Sequence, residues 1–129
     1  MSPGPDRRRA ERFGRRGEGA CVMRLRLGGW RILARNWRVP VGEIDIVARR
    51  GRVLAFVEVK ARGLEFGADP VPVPAQQRRI TRAAEMFLAH HAALGACFGR
   101  FDVMFVGPWP SFRFFWPTHV VDAWRQQPR

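Results

Sequence analysis

The stretch GEIDIVARRGRVLAFVEVKAR, Gly42 to Arg62, constrains the chain more than any other: two short runs rich in Ile and Val flank an Arg-Arg-Gly-Arg turn. That is the pattern of a β-hairpin. Both runs carry charge where a core strand would not, Glu43 and Asp45 on the first and Glu58 and Lys60 on the second. Residues two apart on a strand face the same side, so Glu43 and Asp45 share a face, as do Phe56, Glu58 and Lys60. A turn of two or four residues around Arg50-Gly51 sets Glu43 opposite Glu58, and Asp45 opposite Phe56 and diagonal to Glu58. All four polar groups then gather on one face, whereas a three-residue loop would reverse the parity.

Carboxylates opposed on a sheet repel, and burying them unpaired is costly. A divalent cation removes that cost. Hard oxygen ligands suit Mg²⁺ or Mn²⁺, which bind through one or two carboxylates together with waters and a substrate phosphate. Glu43, Asp45 and Glu58 are the candidate ligands, and Lys60 is placed to orient or deprotonate a water attacking phosphorus. The alternative is a solvated sheet face on which Lys60 merely pairs with Glu58 or Glu43. Composition bears on that choice, because the chain has 23 basic residues and Lys60 is its only lysine. An ion pair would be served at least as well by arginine. A task needing a compact ammonium, or one able to give up a proton, accounts for the exception.

Around the hairpin the sequence predicts a basic, disordered leader over residues 1–10 and a helix from about Glu11 to Leu27. Its stripe Glu18, Cys21, Val22 and Leu25 follows the i, i+3, i+4, i+7 rule and puts a carboxylate on a largely apolar face. Gly28-Gly29 stops this helix. WRILARNW is the first strand, and Gly42–Ala48 and Val53–Ala61 are the next two. A loop with three prolines leads to Pro74, which opens a second long helix running to about Leu94. Ile80, Ala83, Ala84, Phe87, Leu88, His91 and Leu94 form its apolar face, with His91 expected as a satisfied core histidine. Phe101–Val106 is a buried strand, and SFRFFW through HVVDAW supplies the last one. The order is helix, three strands, helix, two strands, an α/β chain with a mixed sheet. Asp102 is expected in a salt bridge with Arg100 or as a loop cap. Trp109, Trp116 and Trp124 are expected in core or interface packing.

At 129 residues and 47% hydrophobic content the chain suits one domain able to bury an ordinary core, expected over residues 11–124 with a disordered tail at 125–129. Cys21 and Cys97 stand far apart without CxxC or Cys/His spacing, which suggests neither a disulfide framework nor structural zinc. With no apolar run near the ~18 residues of a membrane span and no signal-peptide segment, a cytoplasmic protein without a membrane partner is expected. The net charge of +12 points to a polyanion, nucleic acid first. Residues 1–16 hold six arginines against Asp6 and Glu11, which leaves 17 basic and nine acidic residues, or +8, on the body. A homodimer is compatible with the sequence.

The segments GEGACVMRL, GGWRILARNWR, GEIDIVAR, FVEVKAR, QQRRITRAA and RFDVMFV, in this order and spacing, resemble the YraN-type family of small bacterial proteins. The similarity covers roughly residues 14 to 123. It implies a restriction-endonuclease-like fold, whose signature is the PD-(D/E)xK motif. By that resemblance Asp45 matches the first acid, and Glu58 and Lys60 the (D/E)xK pair. Glu18 is similar to the helical glutamate that several members of the wider fold, archaeal Holliday-junction resolvases among them, add to the site. Ile44 stands where the motif has its proline, and Gln76 where the family usually has lysine. Gln76 and Gln77, with Arg62, Arg78 and Arg79, are the candidate nucleic-acid contacts.

The function expected on these grounds is a Mg²⁺- or Mn²⁺-dependent endonuclease-like phosphodiesterase acting on DNA, with a structured or branched substrate suggested by fold analogy alone. A catalytically silent nucleic-acid-binding module of the same fold is the second hypothesis, and an adaptor for acidic partners the third. No phosphate-cradling glycine loop and no nucleophile motif supports other chemistry.

Overall fold

The structure, a computed structural model, describes residues 17–61, 71–108 and 111–125. Helix α1 covers residues 17–27. Then come β1 (Arg31–Val39), β2 (Gly42–Arg50), β3 (Val53–Ala61), α2 (Pro74–His90), β4 (Phe98–Val106), a short helix α3 (Phe112–Phe115) and β5 (Thr118–Trp124). The strands form one mixed sheet in chain order: β1, β2 and β3 are antiparallel, β3 and β4 parallel, β4 and β5 antiparallel. The α2 crossover is what a parallel pair requires. The architecture is mixed α/β and consistent with a restriction-endonuclease-like core. The leader, Arg62, Trp109 and the tail at 126–129 lie outside the described residues, as does Glu11 to Arg16 of the expected first helix.

Both long helices form where the apolar spacing places them. On α1, Glu18, Cys21, Val22 and Leu25 are all buried. The helix closes on Gly29, with φ of 87°, the Trp30 N–H donating to Leu25 and the Gly29 N–H to Arg26. These are the two bonds of a Schellman stop, whose left-handed residue favours glycine. Cys21, Val22 and Leu25 pack with Phe114 of α3 against Ile46, Ala48, Ala55, Val57, Met104 and Val106 on one face of the sheet. On the other face Ala83, Ala84 and Phe87 of α2 cover Val47, Leu54 and Phe56. Ile80 lies with Val103, Phe105 and Trp124. Full burial contributes about 1.5–3 kcal/mol for each Val, Leu, Ile or Phe, so the two faces hold the sheet between them.

Three expectations change. The α-helix ends at His90, and a 3₁₀ turn over Ala92–Leu94 carries Leu94 into the core. His91 leaves helical geometry at φ −131° and is exposed; its ring stacks on Phe87 at 4.0 Å and its Nδ1 lies 2.8 Å from the Phe87 carbonyl oxygen. A helical stripe places residues only while the helix lasts. FRFF, expected as strand, is the helix α3, because of its residues Phe114 alone reaches the core while Phe112 and Phe115 stay exposed. In the hairpin, the turn is Gly51-Arg52, closed by Arg50 opposite Val53. Gly51 has φ of 61° and takes the first central position, as in a type II′ turn. The register is thus displaced by two residues from the expected one, and the ladder runs from Arg50 opposite Val53 to Ile46 opposite Val57.

Asp102 is fully buried as a structural anchor. Arg100 donates to both its oxygens at 2.8 Å, His119 Nε2 lies 2.7 Å from Oδ2, and the Asp122 N–H donates to Oδ1 at 2.9 Å. Burial alone would raise its pKa, but the hydrogen bonds from His119, Arg100 and Asp122 outweigh it and hold the carboxyl below the usual range. The salt bridge with Arg100 matches expectation. Trp124, stacked on Phe101 at 4.0 Å, is core as expected, while Trp116 is partly exposed beneath the Arg24 guanidinium.

Candidate functional site

Alternation along β1 and β2 is interrupted at a bulge between Ile32 and Ala34 and again near Asp45. Ile44 packs in the α2-side core and Ile46, two residues on, in the α1-side core. Across the ladder Trp37 pairs with Ile44 and Arg35 with Ile46, which leaves Asn36 beside Asp45 in the register. Asn36 has φ of 49°, a left-handed conformation that asparagine tolerates better than most residues. The β1–β2 register itself runs unbroken past Asn36, and the β2–β3 ladder ends at Ile46 opposite Val57. Beyond it the Val59 N–H donates to Asp45 Oδ2 at 2.8 Å. Asp45 therefore stands at a corner that carboxylates on both sides of the sheet can approach.

Glu58 comes to that corner from β3 and Glu18 from α1. Asp45, Glu58 and Glu43 line one cavity of about 110 Å³ together with Gln76 and Ile80. Burial pushes the Asp45 carboxyl above its usual range, only partly offset by the Val59 N–H, and Glu43 adds to the rise. Burial also raises Glu58; Lys60 opposes the shift and the Asp45 charge adds to it. Gln76 Nε2 donates to Glu58 Oε1, whereas Oε2 is buried without a hydrogen bond. Glu18 is raised by burial first and by Asp45 second. Its Oε1 is likewise without a hydrogen bond, with the Arg35 guanidinium 3.7 Å away. Glu18 does not line the cavity. The Cys21 thiol one turn along α1 is pushed up to about 12, by burial and then by Glu18 and Asp45.

Lys60 is half-buried on the Glu58 side of β3, close enough to lower the pKa of Glu58, and is not a cavity wall. Glu43 is more exposed and ion-paired with Arg38 at 3.2 Å. Among the described residues no group of three or more His, Cys, Asp or Glu side chains is arranged to hold a metal ion. The donor set fits the sparser mode in which a hard cation takes two carboxylates and fills its other positions with water and phosphate: Asp45 and Glu58 repel each other, and Glu58 keeps an unpartnered oxygen.

Of the candidate nucleic-acid contacts, Gln76 is committed to Glu58, and Gln77 Nε2 donates to the Pro72 carbonyl at 2.8 Å, bracing the start of α2. Arg78 and Arg79 are exposed. Arg79 lines a larger groove of about 560 Å³ between the β1–β2 hairpin and α2, whose other rim is Arg38. Sequence reasoning missed Arg38, Asn36 and this groove. The available signals were the asparagine inside a strand pattern and the Val-Pro-Val-Gly connection, which brings a strand end against a helix. No helix among the described residues is long and apolar enough to cross a membrane.

The model of a family described as "Uncharacterised protein family UPF0102" matches residues 17–106, a span that includes Glu18, Asp45, Glu58, Lys60 and Gln76. A UPF0102 protein of Parvibaculum lavamentivorans is 47% identical over 116 residues, covering 90% of this chain and 84% of its own. One from Methylocella silvestris is 46% identical over 123 residues, 95% of each chain, and one from Rhizorhabdus wittichii is 42% identical over 118 residues, 92% of this chain and 95% of its own. With a family match over most of its length and relatives aligned almost end to end, the chain belongs to the UPF0102 (YraN) family.

Proposed function

We propose that this protein is a metal-dependent nuclease that hydrolyses phosphodiesters in DNA, with structured or branched DNA as its substrate. The observation that carries this is the pair of half-buried carboxylates, Asp45 and Glu58, lining one cavity, both held above their usual pKa by burial, with Glu58 Oε2 unpartnered and Lys60 beside it. Desolvated like charges in a cleft are what a catalytic site collects and a structural core avoids. Asp45 and Glu58 would hold Mg²⁺ or Mn²⁺, with Glu43 the third candidate. The ion supplies charge neutralisation at phosphorus and lowers the pKa of water. Lys60 orients the attacking water or takes its proton, Gln76 fixes the Glu58 carboxylate through its amide, and exposed arginines meet the phosphates.

The second reading, a silent nucleic-acid-binding module, is favoured by the uncharged Gln76 amide on Glu58, at the position where the resemblance to the YraN-type family implies a lysine. Labelled linear, flap and four-way DNAs incubated with Mg²⁺ or Mn²⁺ separate the two. Metal-dependent cleavage that disappears in Asp45→Asn is the expected result. Binding without cleavage on every substrate would overturn catalysis in favour of the binding module.

A further inference from the structure

The groove between the β1–β2 hairpin and α2 opens into the carboxylate cavity, since Glu43, Gln76 and Ile80 line both. Its lining combines the apolar side chains of Val39, Pro40, Val41 and Ile80 with polar surface from Arg38, Arg79, Glu43 and Gln76. The hairpin is held close to α2 because residue 42 is glycine: a Cβ there would meet the Arg79 carbonyl oxygen at 2.5 Å. The volume of about 560 Å³ falls within the ~300–1,000 Å³ of small-molecule sites. A lining that holds apolar side chains and two arginines together suits a nucleotide, with its base and its phosphate, and Arg planes also stack on unpaired bases.

We infer that this groove is the subsite for an unpaired nucleotide next to the scissile phosphate, so that the protein selects DNA with a single-stranded end, flap or junction over continuous duplex. The inference rests on the nuclease reading for the word scissile, but the subsite can be tested without cleavage. Arg38 and Arg79 take the phosphates on either side of the bound nucleotide, and the Val-Pro-Val edge of the hairpin contacts the base. Glu43, ion-paired with Arg38 at 3.2 Å, keeps that guanidinium at the rim.

The experiment compares the full chain's affinity for a blunt duplex and for the same duplex with a short unpaired tail, by fluorescence anisotropy with Ca²⁺ in place of Mg²⁺. Wild type is expected to prefer the tailed DNA by on the order of tenfold, the scale of one base contact. Val41→Trp, which fills the groove, should remove the preference. The exposed double variant Arg38→Ala/Arg79→Ala should reduce it, and serves if Val41→Trp fails to fold. Equal affinity of wild type for the two DNAs, or a preference that survives in both groove variants, would overturn the subsite. A groove-dependent preference without cleavage in Mg²⁺ or Mn²⁺ would overturn catalysis and leave the subsite standing, while cleavage of blunt and tailed DNA alike would do the reverse.

Discussion

Replacing Lys60 by arginine keeps a positive charge beside Glu58 but substitutes a planar guanidinium that does not give up a proton. If Lys60 only offsets the carboxylates, cleavage should survive Lys60→Arg. The proposed role instead predicts a single-turnover rate loss on the order of 10² to 10⁴ with DNA affinity unchanged, and equal rates would reduce Lys60 to a counter-charge. Asp45 provides a test that does not depend on activity. Its carboxyl is raised in the folded protein, so folding favours the protonated form. The stability it contributes is present below the ordinary aspartate pKa of about 3.9 and lost as pH rises through the higher folded value. Asp45→Asn retains an acceptor for the Val59 N–H and removes the charge. Its melting temperature without metal should therefore exceed that of wild type at neutral pH, with the gap closing in acid. Mg²⁺ or Mn²⁺ should raise the melting temperature of wild type and barely move that of the variant. A wild type indifferent to millimolar metal in calorimetry would remove the metal site.

Among the elements, the β1–β2 hairpin presses against α2, because Gly42 runs against the backbone of α2 at Arg79. Gly42→Ala should cost about 1–3 kcal/mol, the usual range for overpacking, and open the groove. Urea denaturation measures the first effect, and unchanged stability would show that the hairpin does not bear on α2. The elements also differ in how far their patterns could be followed. Val53–Ala61 forms the strand expected of it, and α1 buries the stripe expected of it, since alternation and the 3.6-residue period are local properties. The β2–β3 register escaped by two residues because Arg-Arg-Gly-Arg lets the glycine serve as either central residue of a two-residue turn. Glycine second would have matched the expected pairing; glycine first, with Gly51 at φ 61°, produces the observed one.

Over the whole molecule the dominant quantity is charge. The +12 net charge, +8 of it outside residues 1–16, predicts DNA binding without metal that weakens steeply between about 50 and 200 mM salt as counterions are released. Filter binding across that range should give a linear log–log slope. Deletion of Met1 to Arg9 should weaken binding without abolishing it. Complete loss would assign the interaction to the leader and detach it from the groove flanked by Arg38 and Arg79.

By itself the amino-acid sequence determined which chemistry the protein can hold: Asp45, Glu58 and the lone Lys60 on adjoining strands, Glu18 on the buried stripe of a helix, and a surplus of arginine around them. Each of these follows from residue type and short-range periodicity, which neighbouring residues carry together. Only the tertiary structure decided that Asn36 is left-handed beside Asp45, that Gln76 of α2 holds Glu58 of β3, and that Arg38 and Arg79 line one groove. His119, which joins Arg100 on the buried Asp102, belongs with them. A single left-handed residue leaves no period to detect. A contact between a strand and a helix many residues apart depends on how each element packs on the shared sheet, which is a property of the assembled core.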